Sequence, residues 1–190
     1  MNNLSTKLTF NDYNDWAAIK MNDNKGNPFQ ISFKKRPVLP FIPNDKEFAY
    51  IHVKGIENDP FKDIYTKIVA HAEGNWWSDS QEVEYTQPWN QAGDIGLKWP
   101  LKYVSGKAEF QMLENHTRKE RSQMGLDKFA EESHEGDLAM SGIVTVKPWV
   151  CKADNKLRFG VTFVLDKSIV VKHVFGQRPE VESRIRIEGA

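Results

Sequence analysis

Cysteine is nearly absent: Cys151 is the single one among 190 residues. That excludes an internal disulfide, and a reducing, cytosolic setting is expected. No Cys or His pair stands at the spacing of zinc ligands, so neither a metal nor any other cofactor is expected. His52, His71, His116, His134 and His173 are scattered, with no HExxH. The sequence also lacks GxSxG, GxxxxGK[ST] and a GxGxxG opening a helix. No catalytic residue is assigned, and the chain does not read as an enzyme. His134, flanked by acids in EESHEGD, lies in a polar stretch whose neighbours are not expected to converge. Cys151 beside Lys152 has no evident partner base. No apolar run approaches the roughly 18 residues needed to span a bilayer, and MNNLSTKLTF lacks the basic-then-apolar order of a secretory signal. No membrane partner is expected. Net charge is missing too, since 26 basic and 26 acidic residues cancel. Attraction to a polyanion therefore has to come from how the charges are distributed.

At 190 residues the chain predicts a single domain, 1–190, with 1–28 and 176–190 peripheral or flexible. Apolar residues make up only 39%, yet there are 11 Phe, 6 Trp and 5 Tyr, a composition that fits rings displayed outside the core as well as in it. Phe29, Ile31 and Phe33 alternate with polar residues as a short strand, which runs into KKRPVLPFIP, an extended connector or edge. EFAYIHVK, 47–54, is the next strand. Asp59-Pro60 reads as an N-cap followed by proline in the first turn. Phe61, Ile64, Tyr65, Ile68, Val69 and Ala72 then recur at helical spacing, predicting a helix over 60–73 that Gly74 stops. A polar stretch, 75–96, carries Trp76, Trp77 and Trp89 in a long loop. From 136 onward β signals dominate.

Short strands with one inserted helix and no βαβ alternation predict a mainly β fold. The expected form is an OB-fold-like antiparallel Greek-key barrel with long loops; a β-sandwich is the alternative.

The chemistry concentrates in SGIVTVKPWVCKADNKLRFGVTFVL, 141–165. Leu157, Phe159, Val161, Phe163 and Leu165 are uniformly apolar and should face a core. Arg158, Gly160 and Thr162 then fall on the opposite side, where Lys147 and Trp149 join them if the strands pair about CKADNK. Glycine in a strand leaves space for close approach. Cations beside uncovered rings are what a nonspecific single-strand site uses, because cations follow phosphates and rings stack on unpaired bases. A second ring-rich group is Phe48, Tyr50 and His52, with Trp99 and Tyr103 beside Lys98 and Lys102. Further basic segments hold Lys34, Lys35 and Arg36; Arg118, Lys119 and Arg121; and Lys172, Arg178, Arg184 and Arg186. Solvated lysines and rings filling the barrel are the bland reading of the same residues.

The segment GDLAMSGIVTVKPWVCKADNKLRFGVTFVLDKSIVVKHV resembles the closing strands of bacteriophage-type single-stranded-DNA-binding proteins. Val146-Lys147-Pro148-Trp149, Gly160-Val161-Thr162-Phe163 and Ile169-Val170-Val171 carry the likeness. It implies an OB-fold that coats single-stranded DNA in replication, recombination or repair, with replication or recombination proteins as further partners and the host cytoplasm as location. By position it puts Lys147, Trp149 and Arg158 against DNA. The full expected interface is Lys147, Trp149, Arg158, Thr162, Phe48, Tyr50, Trp99, Lys102, Tyr103 and Lys172. The competing reading is a phage-encoded protein- or glycan-binding β module, with Trp76, Trp77 and Trp89 as its platform.

Overall fold

Alternating apolar residues dominate this chain, and the architecture follows from them. A computed structural model describes residues 5–11, 16–23, 25–43, 48–100, 102–104, 107–109, 112–117, 120–124, 126–136, 138–166, 169–173 and 182–186. In chain order the elements begin with β1 (Ser5–Asn11), β2 (Trp16–Asn22), β3 (Gln30–Pro37) and β4 (Phe48–Val53), followed by α1 (Pro60–Asn75). Then come β5 (Val83–Thr86), β6 (Ile95–Pro100), β7 (Lys102–Val104), β8 (Lys107–Glu109), β9 (Met112–Thr117) and β10 (Glu120–Met124). After α2 (Leu126–Glu135) the chain closes with β11 (Leu138–Ala153), β12 (Lys156–Leu165), β13 (Ile169–His173) and β14 (Glu182–Arg186).

The protein is mainly β. Seven strands in the order β10-β9-β13-β11-β12-β6-β4 form a mixed sheet curled into a half-barrel, with α1 as its main helix. The 16-residue β11 is the spine. It pairs with β13 over 138–141, with β12 over 144–153, and with β3 and β2 along its other edge. Past the end of β3, Val38 bridges to Val53, and the Leu39 N–H donates to the His52 carbonyl at 2.9 Å. Strands β3, β11, β12, β6 and β4 thus follow one another round the core. The expected antiparallel sense is only partly met, because β12 runs parallel to both β5 and β6, and β13 runs parallel to β9. Those partners are distant in sequence, so no tight hairpin imposes the antiparallel sense on them. Two strands also form where the sequence pattern is weakest. β2 adds to β11 from the Asn-rich start, and β14 adds to β3.

Helix α1 sits against the barrel interior. Asp59 caps it by accepting the Phe61 N–H at 3.1 Å, and Pro60 occupies the first turn, where its missing N–H is harmless. Phe61, Ile64, Tyr65, Ile68 and Ala72 are its buried stripe. Phe61 meets Phe163 at 4.9 Å and Phe33 at 5.9 Å between centroids, edge to face, the arrangement ring quadrupoles favour. The helix runs through Gly74 to Asn75.

A bulge explains a buried cation beside it. Lys35 has φ 50°, and the β3–β11 register shifts between Met140 and Gly142. The slip leaves Lys34 and Lys35 both exposed and turns Arg36 inward. Arg36 there pairs with Asp59 at 2.7 Å, both side chains fully buried, and donates to the Lys54 carbonyl at 2.6 Å. The sequence groups Arg36 with surface cations; instead it locks β3 to the start of α1. Removing one partner of such a pair strands a bare charge, at about 3–5 kcal/mol.

The predicted polar segment around His134 is in fact the helix α2. Phe129, Ala130 and Ser133 are its buried side, with Phe129 packed on Phe41 at 5.5 Å and on Trp99 at 6.3 Å. The Ser133 hydroxyl accepts the Phe41 N–H at 2.9 Å. His134 is exposed on the opposite side.

Candidate nucleic-acid interface

The β11–β12 register decides which side chains share a surface. Val146 faces Phe163, Pro148 faces Val161 and Val150 faces Phe159, and all six are buried. The alternate pairs are Lys147 with Thr162, Trp149 with Gly160 and Cys151 with Arg158, and these point outward. Because side chains alternate across a sheet, the same outer face continues over the neighbouring strands. On β6 and β4 it carries Lys98 opposite Tyr50 and Gly96 opposite His52, with Phe48 beyond. On β5, Glu84 stands beside Arg158 and Thr86 beside Gly160.

The rings on this face are held in place by specific contacts. Trp149 lies flat over Gly160, where any Cβ would collide with its indole. The space expected above that glycine is therefore filled by Trp149 itself. Phe48 and Tyr50 meet edge to face at 5.7 Å, and the Lys98 ammonium sits 4.2 Å from the Phe48 centroid, a cation–π contact. Tyr50 is 45% exposed. Partial burial raises its phenol pKa above the ordinary value, so it stays a neutral donor at physiological pH.

Between this face and the 86–90 segment runs a groove of about 280 Å³. Tyr50, His52, Trp89, Trp149 and Thr162 line it, together with Gln87. Its outer wall is stapled to β6. The Gly96 N–H donates to the Pro88 carbonyl at 2.9 Å, and Trp89 bridges to Ile95. Gly93 makes the intervening turn at φ 84°, a left-handed conformation side chains disfavour. Trp89 stacks edge-on against Tyr65 at 5.0 Å, with the Lys62 ammonium 5.6 Å from its ring.

The charges on the face are mixed. Lys147 is exposed and has no ion-pair partner among the described residues. At the hairpin end, Arg158 pairs with Glu84 at 3.3 Å and Lys156 with Glu82 at 2.9 Å, all four side chains about half exposed or more. The hydrogen bond to Glu82, aided by its charge, raises the Lys156 pKa above the usual lysine value. Exposed pairs of this kind contribute about 0–1 kcal/mol, so an incoming anion can displace the carboxylates.

Of the expected interface, Lys147, Trp149, Arg158, Thr162, Phe48 and Tyr50 lie on this one outer face. Trp99 does not. It is 5% exposed and points inward with Leu97 and Ile95, packed on Phe129, so it is core rather than surface. The side chains of Lys102, Tyr103 and Lys172 lie outside the described residues, as do those of Arg118, Lys119, Arg121, Arg178, Arg184 and Arg186. The proposed tryptophan platform is divided. Trp76 and Trp77 pack on Phe159, at 5.8 and 5.4 Å, beneath the hairpin, whereas Trp89 lines the outer groove. Missing from the expected interface were Trp89, His52, Gln87 and Thr86. For the loop residues no local pattern announces the groove, because the wall is placed by the pairing of β5 with β12, 74 residues away in sequence at Val83 and Leu157.

Compared with known proteins, the chain matches no family model, no curated protein and no solved structure. The likeness of residues 137–175 to phage-type single-strand binders rests on those residues alone. Among the described residues no helix is long and apolar enough to cross a membrane.

Proposed function

We propose that the protein binds single-stranded DNA without strong sequence preference, coating it during phage replication, recombination or repair, and performs no chemistry on it. The observation that carries this reading is the gathering of Phe48, Tyr50 and Trp149 with Lys98 and Lys147 on one outward face of the half-barrel. Phosphates would lie along Lys98 and Lys147, and along Arg158 once it exchanges Glu84 for a phosphate oxygen. Bases would stack on Tyr50 and on the uncovered parts of Trp149 and Phe48, at about 1–3 kcal/mol each. Duplex DNA keeps its bases stacked internally and forfeits that term, so the face discriminates by strandedness. Titrating oligo-dT into the protein at low salt is expected to quench tryptophan fluorescence saturably, while a duplex of the same length quenches weakly. Equal response to both, or to neither, overturns the reading.

One observation favours a second reading, a glycan-binding module: the hairpin cations Lys156 and Arg158 are already matched by Glu82 and Glu84. A neutral ligand stacking on Trp149 and Tyr50 would bind with no dependence on salt.

A further inference from the structure

We infer that the groove between the outer face and the 86–90 wall is a pocket for one unpaired nucleobase, which gives an otherwise indifferent face a base preference at a single position. This rests on the reading of the face as a single-strand site and adds to it a place where sequence is read.

Size is the first support. At about 280 Å³ the groove is near the lower bound of ligand pockets, suited to one planar ring system rather than to a folded polymer segment. Shape is the second. Trp149 laid over Gly160 supplies a flat aromatic surface, and Trp89 and Tyr50 supply further rings around the groove. His52 lies beside Gly96 in the same groove.

Polarity is the third. The side chains of Thr86, Gln87 and Thr162 all line the groove, and none of them makes a hydrogen bond among the described residues. The Tyr50 hydroxyl and the His52 ring nitrogens are likewise without partners there. Donors and acceptors that converge on an aromatic-lined groove can engage the exposed edge of a base, the mode by which unpaired bases are read. The wall is also preorganised. The Gly96 N–H donates to the Pro88 carbonyl at 2.9 Å and the Asp94 N–H to the Asn90 side-chain oxygen at 2.9 Å, so the wall is braced by its own hydrogen bonds and little ordering accompanies binding.

The test compares dissociation constants for dT12, dC12 and dA12 at one salt concentration, using the wild-type chain and the double variant Gln87→Ala, Thr162→Val. Both positions are at the surface or partly so, and neither packs in the core. The wild type is expected to favour one homopolymer by about tenfold, the scale of one or two base-edge hydrogen bonds. The double variant is expected to bring the three constants within about twofold of each other, near the weaker wild-type values. Equal wild-type constants, or a preference that survives the double substitution, overturn the base pocket while the single-strand reading stands. Failure to bind any of the three overturns both.

Discussion

At the scale of single residues, Gly160 is the most informative position. It lies on β12 opposite Trp149, and its missing side chain lets the indole rest on the strand. Gly160→Ala puts a methyl group where the ring now lies. Either the ring swings outward, or the strands separate, at about 1–3 kcal/mol. The ring is the far end of a side chain with two torsions, so the expected result is displacement of Trp149 with a modest fall in melting temperature. Affinity for oligo-dT should then drop about fivefold or more as a stacking surface is lost. Fluorescence emission and titration on the same sample check both halves. An unchanged affinity would remove Trp149 from the interface. That Trp149 and Gly160 share a face was legible from the five apolar odd positions of 157–165 together with the short CKADNK turn; their direct pairing comes from the register. Trp99 was misplaced although its own strand offered the same signal. Leu97 and Trp99 form the apolar side of β6, and that side belongs to the core by the rule that correctly oriented the hairpin.

Among the elements, β5 has the largest say over the electrostatics. It is four residues long and parallel to β12, and it sets Glu84 beside Arg158, while Glu82 just before it reaches Lys156. On the proposed single-strand reading, this acidic edge would oppose binding twice, by occupying cations and by repelling the phosphates. Glu82→Gln together with Glu84→Gln is therefore expected to tighten oligo-dT binding at low salt, by up to about fivefold per site. The gain should vanish near 1 M salt, where the screening length falls to about 3 Å. Binding of a neutral ligand would not respond to the double substitution. The elements themselves were unequally readable. Helix α1 carries its own start signal and a five-residue buried stripe, so its existence followed from local sequence. In helix α2 Phe129, Ala130 and Ser133 are buried and, with Leu126, stand at helical spacing, a two-turn period that acidic and basic neighbours at all the other positions obscured. The docking of β2 on β11, the parallel pairs and the bulge at Lys35 depend on partners distant in the chain. Alternation reports which residues share a face, but it says nothing about which strand will lie alongside.

For the whole molecule, the cancelled net charge means no long-range field draws a polyanion in. On the proposed reading attraction has to be local, and its strength would be set by how many cations the outer face brings to phosphate. Lys98 and Lys147 are on that face, and Arg158 joins them if it releases Glu84. Each phosphate neutralised on a single strand contributes about −0.7 to the slope of log affinity against log salt. Three contacts predict a slope of about −2, or a loss of roughly twentyfold between about 50 and 200 mM salt. A slope nearer −3.5 would mean about five contacts, as expected if Lys102 and Lys172 also reach the strand. Arg158→Gln separates the possibilities further: it should flatten the slope by about 0.7 if Arg158 exchanges partners on binding, and leave it unchanged if Glu84 retains it. Because stacking is insensitive to salt, affinity extrapolated to 1 M isolates the ring contribution, and Tyr50→Ala should lower that residual without altering the slope. A flat salt profile with intact binding would transfer the site to a neutral ligand and leave the lysines as solvated surface.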